Sequence, residues 1–167
     1  SDDWINERYL ENLLQILEET DADVSACNFL RTATESLPAR TEEPKTFSFT
    51  SRQALDHIIH FGAFHEQMVV AWGKLYKAEL FEGIRYPVGR IHEDEFTTYK
   101  LLDKAGKIAF TTEPLLYYWQ REDSIMGEGF KLKNKLDYLD ALKERAAYFH
   151  AYGQSDYSDK SYRSLFT

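Results

Sequence analysis

Three short clusters carry the side chains from which chemistry could be built. They are Ser1-Asp2-Asp3-Trp4-Ile5 at the start, Ile91-His92-Glu93-Asp94-Glu95-Phe96 in the middle and Tyr117-Tyr118-Trp119-Gln120-Arg121-Glu122-Asp123-Ser124-Ile125 further on. Adjacent carboxylates offer hard oxygen ligands to a divalent cation. Acidic residues ahead of a helix also complement its dipole, so Asp2-Asp3 and Glu93-Asp94-Glu95 each read either way. Arg121 beside Glu122 or Asp123 reads as well as an exposed ion pair, contributing about 0–1 kcal/mol without any ligand. His57, His60 and His65 include the His-x-x-His spacing that zinc uses. No third ligand follows at a convincing spacing, so a structural or surface role is expected. There is no Gly-rich phosphate loop, no Gly-x-Ser-x-Gly elbow and no Cys-His pattern of a nucleophile.

The elements that must position these clusters can be read from periodicity. Between Asn6 and Glu19, apolar Tyr9, Leu10, Leu13, Leu14 and Leu17 recur at helical spacing, with Asn6 as the expected cap. Asp23 to Leu30 is short, partly alternating and nearly uncharged, as a strand covered on both faces should be. Residues 31–45 carry two prolines and several charges without periodicity and read as an exposed excursion. Thr50 or Ser51 then caps a helix through Ala54, Leu55, Ile58 and Ile59, and the apolar run from Met68 to Trp72 follows. Pro87 and Gly89 force a turn, after which a helix is expected from Glu93 to Gly106. Phe96, Tyr99, Leu102 and Ala105 form its inner face, with Lys104 and Lys107 near its negative end. Lys107 to Gln120 is rich in Ile, Phe, Thr, Tyr and Trp and predicts one or two strands broken at Glu113-Pro114. Leu132, Leu136, Leu139, Leu142, Ala146 and Phe149 predict a final amphipathic helix.

Composition bounds the class. The chain has 167 residues, 43% hydrophobic and 15% aromatic, enough apolar material for one folded domain with a core. A formal net charge of −8 opposes phosphate backbones and anionic lipid surfaces, which argues against nucleic-acid binding. Cys27 is the single cysteine, so no intrachain disulfide and no cysteine zinc cage can form, as suits a reducing, cytoplasmic setting. No apolar run approaches the roughly 20 residues of a membrane helix.

Taken in order, the clusters resemble bacterial family 2 glycosyltransferases of the GT-A type that assemble capsular and other surface polysaccharides. Their metal motif reads Asp-x-Asp, often Asp-Ser-Asp-Asp-Trp-Ile, and Ser1-Asp2-Asp3-Trp4-Ile5 is similar to its latter part, with the first Asp missing. Trp72-Gly73-Lys74-Leu75-Tyr76-Lys77-Ala78-Glu79-Leu80-Phe81 resembles the segment ahead of the catalytic acid. Ile84 to Phe96 resembles the catalytic Glu-Asp box, and Tyr117-Tyr118 through Ser124-Ile125 the strand and loop after it.

The resemblance implies an α/β fold. It would be a partial GT-A fold, the acceptor-side half of a Rossmann-like mixed sheet flanked by helices, ending in an amphipathic helix. Residues 1–151 would form the C-terminal portion of the domain and 152–167 a polar tail or helix continuation. It further implies metal-dependent inverting transfer from a nucleotide-sugar donor to a saccharide or lipid-linked acceptor. Asp2 would hold Mn²⁺ or Mg²⁺, and Asp3, Arg121 and Ser124 would face the donor. Asp94 would be the catalytic base with Glu93 supporting it, and Trp72 and Lys74 would shape the acceptor pocket. The nucleotide-binding half is expected to precede Ser1, which implies an inactive fragment that self-associates through the uncovered surface. The longer protein would be cytoplasmic, or peripheral at the inner membrane face. Two other readings compete: a nucleotidyltransferase, which would need a basic phosphate loop, and a non-catalytic carbohydrate-binding or adaptor module built on the aromatics.

Overall fold

The structure, a computed structural model, describes residues 3–34, 43–120 and 132–166. A five-stranded mixed sheet is built on two long central strands, β2 (Val24–Thr32) and β5 (Lys107–Trp119), which run parallel. β4 (Lys74–Tyr76) pairs antiparallel with the outer side of β2. The outer side of β5 is shared: β3 (Thr46–Thr50) pairs with its first half and β1 (Trp4–Ile5) with its second, both antiparallel. Pro114 lies between these two partners, where the β2 register also shifts. A proline has no N–H to donate, so it sits where the ladder is already interrupted. The expected break at Glu113-Pro114 is therefore an irregularity within one strand.

Helices cover both faces, as a sheet with two apolar sides requires. α1 (Tyr9–Thr20) packs on one face, where Tyr9 and Leu13 meet Cys27, Leu115 and Leu116. On the other face lie α2 (Ser51–Ile59), α3 (His65–Val69) and α4 (Glu93–Lys104), which bury Leu55, Ile58, Met68, Tyr99 and Leu102 against Val24, Ala26, Ile108 and Phe110. α5 (Leu132–Ala151) packs on α4, and α6 (Ser155–Arg163) packs on α5 and α2. No described helix is long and apolar enough to cross a membrane.

Local chemistry explains most element boundaries. Thr50 caps α2: its hydroxyl accepts the Gln53 amide N–H at 3.3 Å while the Gln53 side chain accepts the Thr50 N–H at 2.9 Å. All four apolar positions read into that helix are buried, as is the whole Phe96, Tyr99, Leu102, Ala105 face of α4 and its continuation.

Other expectations are corrected. Asn6 does not cap α1, which is preceded by Arg8 without a side-chain cap; Asn6 Oδ1 instead accepts the Arg8 N–H at 2.9 Å in the turn ahead. Leu10 and Leu14 face outward, and so do Leu132 and Leu136 at the start of α5. Lys107 belongs to β5 and reaches the carbonyl of Thr20 at 2.9 Å rather than the end of α4. The excursion expected over 31–45 begins later, since Arg31 and Thr32 complete β2. β3 follows it, a strand the periodicity reading passed over. Residues after Ala151 turn at Gly153 and form α6.

Candidate functional site

Connectivity brings the candidate residues toward one end of the sheet. α4 is 12 residues long, about 18 Å, and is joined to β5 by a two-residue link. Its N-terminus with Glu93 and Asp94 is thereby carried back toward the C-terminal end of β5. β4 runs antiparallel to β2, so Trp72 and Lys74 lie toward the C-terminal end of β2. There the Cys27 N–H donates to the Gly73 carbonyl at 2.9 Å. β1 brings Asp3 beside Trp119, whose N–H donates to Asp3 Oδ1 at 3.0 Å. The C-terminal ends of parallel strands are where α/β sheets place their ligands.

Asp94 sits in the first turn of α4, largely withdrawn from solvent. Burial pushes its carboxyl up to about 6. The Glu95 N–H, donating to Asp94 Oδ1 at 2.9 Å, pulls the other way, as does His92, while neighbouring Glu93 and Glu95 add to the rise. A helix N-terminus alone was expected to favour the ionised form; desolvation outweighs it. The result is a carboxylate still mostly ionised at neutral pH yet far more basic than an exposed aspartate, the condition for efficient proton acceptance. Glu93 is exposed beside it.

Lys74 is buried, and its ammonium donates to the Val70 carbonyl. Burial pulls Lys74 down to about 7, and the charge of Asp94 works against this, so the two groups act on one another across the site. In β4 the side chain of Tyr76 shares a sheet face with Lys74. The Tyr76 hydroxyl is buried without a hydrogen bond of normal geometry, and so is that of Thr98. Burial raises Tyr76 and Tyr86, and the Asp94 charge raises both further. The charge of Asp94 thus acts on a lysine pulled down to about 7 and on two tyrosines kept un-ionised.

Trp72 takes the opposite face. It packs edge-on to Phe29, ring centroids 4.7 Å apart, and stacks on Tyr118 at 5.6 Å. The adjacent residues Tyr117 and Trp119 hold Trp4, at 5.5 and 5.6 Å. Asp3 and Trp72 are therefore linked through β5 rather than through Asp94. Asp2, Arg121 and Ser124 lie outside the described residues. Among the described residues no three His, Cys, Asp or Glu side chains cluster as metal ligands. The histidines read as structural behave so: His65 Nδ1 lies 3.2 and 3.1 Å from the carbonyls of His57 and Ile58, and His57 Nδ1 accepts the Phe64 N–H at 3.5 Å.

Two residues that sequence reasoning missed hold the Asp94 segment. Asp137 on α5 is buried and accepts the Ile91 N–H at 3.0 Å and Arg90 Nη1 at 2.7 Å. Arg145, also buried, donates to Glu95 Oε2 at 2.9 Å. The signal available was a charged residue within a helix whose neighbours at helical spacing are apolar; Arg145 beside Leu142, Ala146 and Phe149 shows it, and Asp137 beside exposed Leu136 does not.

No family model matches the chain. It is 31% identical over 155 residues to the glycosyltransferase GlyG of Streptococcus pneumoniae serotype 4, covering 87% of this chain and 50% of that protein. It is 28% identical over 138 residues to GlyA, a glycosyltransferase of the same organism, covering 75% of this chain and 19% of that one. The chain spans half the length or less of these curated relatives. Among solved structures, S. aureus TarS 1-349 in complex with UDP-GlcNAc superposes with a TM-score of 0.64 at 20% identity, over 87% of this chain and 40% of that one. A longer TarS structure gives 0.62 at 16% identity, over 99% and 26%. At these identities the structural likeness establishes the fold alone: the mixed sheet flanked by helices matches part of the TarS fold.

Proposed function

We propose that this chain is the acceptor-side, base-bearing part of a metal-dependent, inverting glycosyltransferase of the family 2, GT-A kind that builds surface polysaccharide. The observation that carries the reading is Asp94, a half-buried carboxylate at the start of α4 raised to about 6, within a chain similar to two glycosyltransferases. Asp94 accepts the proton of an acceptor hydroxyl as its oxygen attacks the anomeric carbon of a nucleotide-sugar, the bond to the diphosphate oxygen breaks, and one displacement inverts the centre. The complex of TarS with UDP-GlcNAc supports a donor of this class. Asp2 is the residue that would hold Mn²⁺ or Mg²⁺, whose charge offsets that growing on the leaving diphosphate.

Asp3 anchors this motif to the Trp119 amide, so the donor-facing group is fixed to the strand that leads to Arg121 and Ser124, the proposed diphosphate ligands. Glu93 contributes to the high Asp94 value. Lys74 lines the acceptor side, where its ammonium is close to losing its proton at neutral pH. Trp72 offers the aromatic wall.

The test is sugar transfer and donor hydrolysis with Mn²⁺ and a panel of sugar nucleotides, on this chain and on a form extended upstream. Turnover is expected in the extended form, and Asp94→Asn should lower kcat by roughly 10²–10⁴-fold with nucleotide affinity retained. Glycan binding without metal and indifferent to Asp94→Asn would instead identify a carbohydrate-binding module.

A further inference from the structure

The geometry points to Asp137 as the positioning residue for Asp94: α5 fixes the segment Gly89 to Ile91 and thereby sets where the proton-accepting carboxylate stands. This inference rests on Asp94 being the base. Asp137 is only 3% exposed, yet every contact of its carboxylate goes to one short segment and to its own helix. Oδ2 accepts the Ile91 N–H at 3.0 Å and Oδ1 accepts Arg90 Nη1 at 2.7 Å. Lys133, one turn earlier on α5, donates to Oδ2 and also reaches the Gly89 carbonyl at 3.0 Å. Arg90 in addition contacts Asp140 Oδ2 at 3.1 Å and lies 5.5 Å over the ring of Phe96. Three consecutive residues are thus tied to α5.

The segment needs such ties. Gly89 and His92 both have left-handed backbones, at φ 74° and 61°, so Arg90 and Ile91 are bracketed by two reversals. Glycine adopts that conformation freely, but a residue with a Cβ does so against its intrinsic preference. His92 also lacks a side-chain cap for α4. What holds it is packing against α5: its ring meets Tyr138, the neighbour of Asp137, edge-on at 5.5 Å. Asp94 lies two residues beyond His92, so a change in the left-handed turn swings the first turn of α4 and the carboxylate with it. The Ile91 N–H, Lys133 and Arg90 hold the Asp137 carboxyl well below the usual carboxylate range, so its ionised form is favoured in the fold. Two of these three contacts grip the residues just before the base.

The test compares Asp137→Ala and Asp137→Asn with the parent protein in two measurements. Amide hydrogen exchange on this chain reads the clamp directly. Exchange at Arg90 to Glu95 should accelerate roughly tenfold or more as the ion pairs are lost, with the β2 and β5 amides unchanged. If Asp137→Ala does not fold, Asp137→Asn, which preserves shape but loses both ion pairs, decides the point in the same way. Steady-state kinetics on the extended form read positioning. kcat should fall roughly tenfold to a hundredfold, with the donor KM within about twofold, because misplacement of the base affects only the transition state. Unchanged exchange in the folded variants overturns the clamp. Faster exchange with unchanged kcat, in a protein that Asp94→Asn inactivates, overturns positioning and leaves a purely structural bond. If Asp94→Asn leaves turnover intact, the proposed function falls instead, and the exchange data still report on the clamp by themselves.

Discussion

Asp94 holds its charge at an energetic disadvantage. A carboxyl whose folded value lies near 6 rather than 3.8 prefers to be protonated in the fold, so its favourable contribution is complete below about pH 4 and is lost as the pH rises through 6. With most of the group buried, the difference amounts to about 1–3 kcal/mol at neutral pH. Asp94→Asn, of the same shape and never charged, should therefore stabilise this chain at pH 7.5 and be near neutral at pH 4, read by denaturant unfolding at both values. A destabilised variant at pH 7.5 would show that Asp94 is held as a favourable anion and would contradict its assignment as a raised base. Lys74 has the opposite sign: its value is pulled down, so its charged form is disfavoured and stability recovers as the pH rises above 7. Half-buried Asp94 and buried Lys74 each carry charge against a desolvation cost, which fits the proposed site, where stability would yield to chemistry. The family resemblance of the segments that hold them is what named Trp72, Lys74, Glu93 and Asp94 as candidates. Burial could not be read there, since Lys74 lies in a run whose alternation is as consistent with an exposed lysine as with a buried one.

At the scale of elements, α2 shows what local sequence decides. The Thr50 and Gln53 pair satisfies two otherwise unpartnered amides at its first turn. Thr50→Ala should cost about 1 kcal/mol and lower Tm by about 2–4 °C, measured by thermal unfolding; no change would mean that packing of Ala54, Leu55, Ile58 and Ile59 alone fixes where the helix begins. This boundary, the inner face of α4 and the existence of β2 and β5 were legible because each depends on residues near in sequence. β3 was not: Thr-Phe-Ser-Phe-Thr alternates as a strand should, but five residues after a polar stretch gain their identity only by pairing with β5. The outward-facing Leu10, Leu14, Leu132 and Leu136 kept a helical period without a surface to bury it among the described residues. Periodicity marks a helix but does not say how much of its length is covered. The Asp137 clamp was illegible for a third reason: the two partners it grips outside its own helix, Arg90 and the Ile91 amide, lie more than forty residues away and in a turn without regular structure.

At the scale of the whole molecule, α6 joins elements that are distant in sequence and ends near the site. Tyr157 is fully buried, and its hydroxyl donates to Asp56 Oδ1 at 2.7 Å and to the Arg52 carbonyl at 3.1 Å, while its ring packs on Phe149 at 5.2 Å. α2 and α5 are thus held through one side chain in the stretch expected as a polar tail or helix continuation. Two adjacent residues of α5 carry the connection onward: Ser158 bonds the Ala146 carbonyl at 3.0 Å, and Arg145 Nε bonds Ser161 Oγ at 3.3 Å while its Nη1 meets Glu95. Tyr157→Ala should lower stability by about 4 kcal/mol, as deletion of a large buried ring does. Below its reduced Tm the carboxyl of Asp94 should still titrate near 6, because Glu95 and Ile91 are held by α5 itself. Denaturant unfolding and the carboxyl ¹³C shift of Asp94 against pH check the two parts separately. A cost below about 1 kcal/mol would return α6 to a dispensable tail. A fall of the Asp94 midpoint toward an ordinary aspartate would mean that α6, not α5, sets the environment of the base.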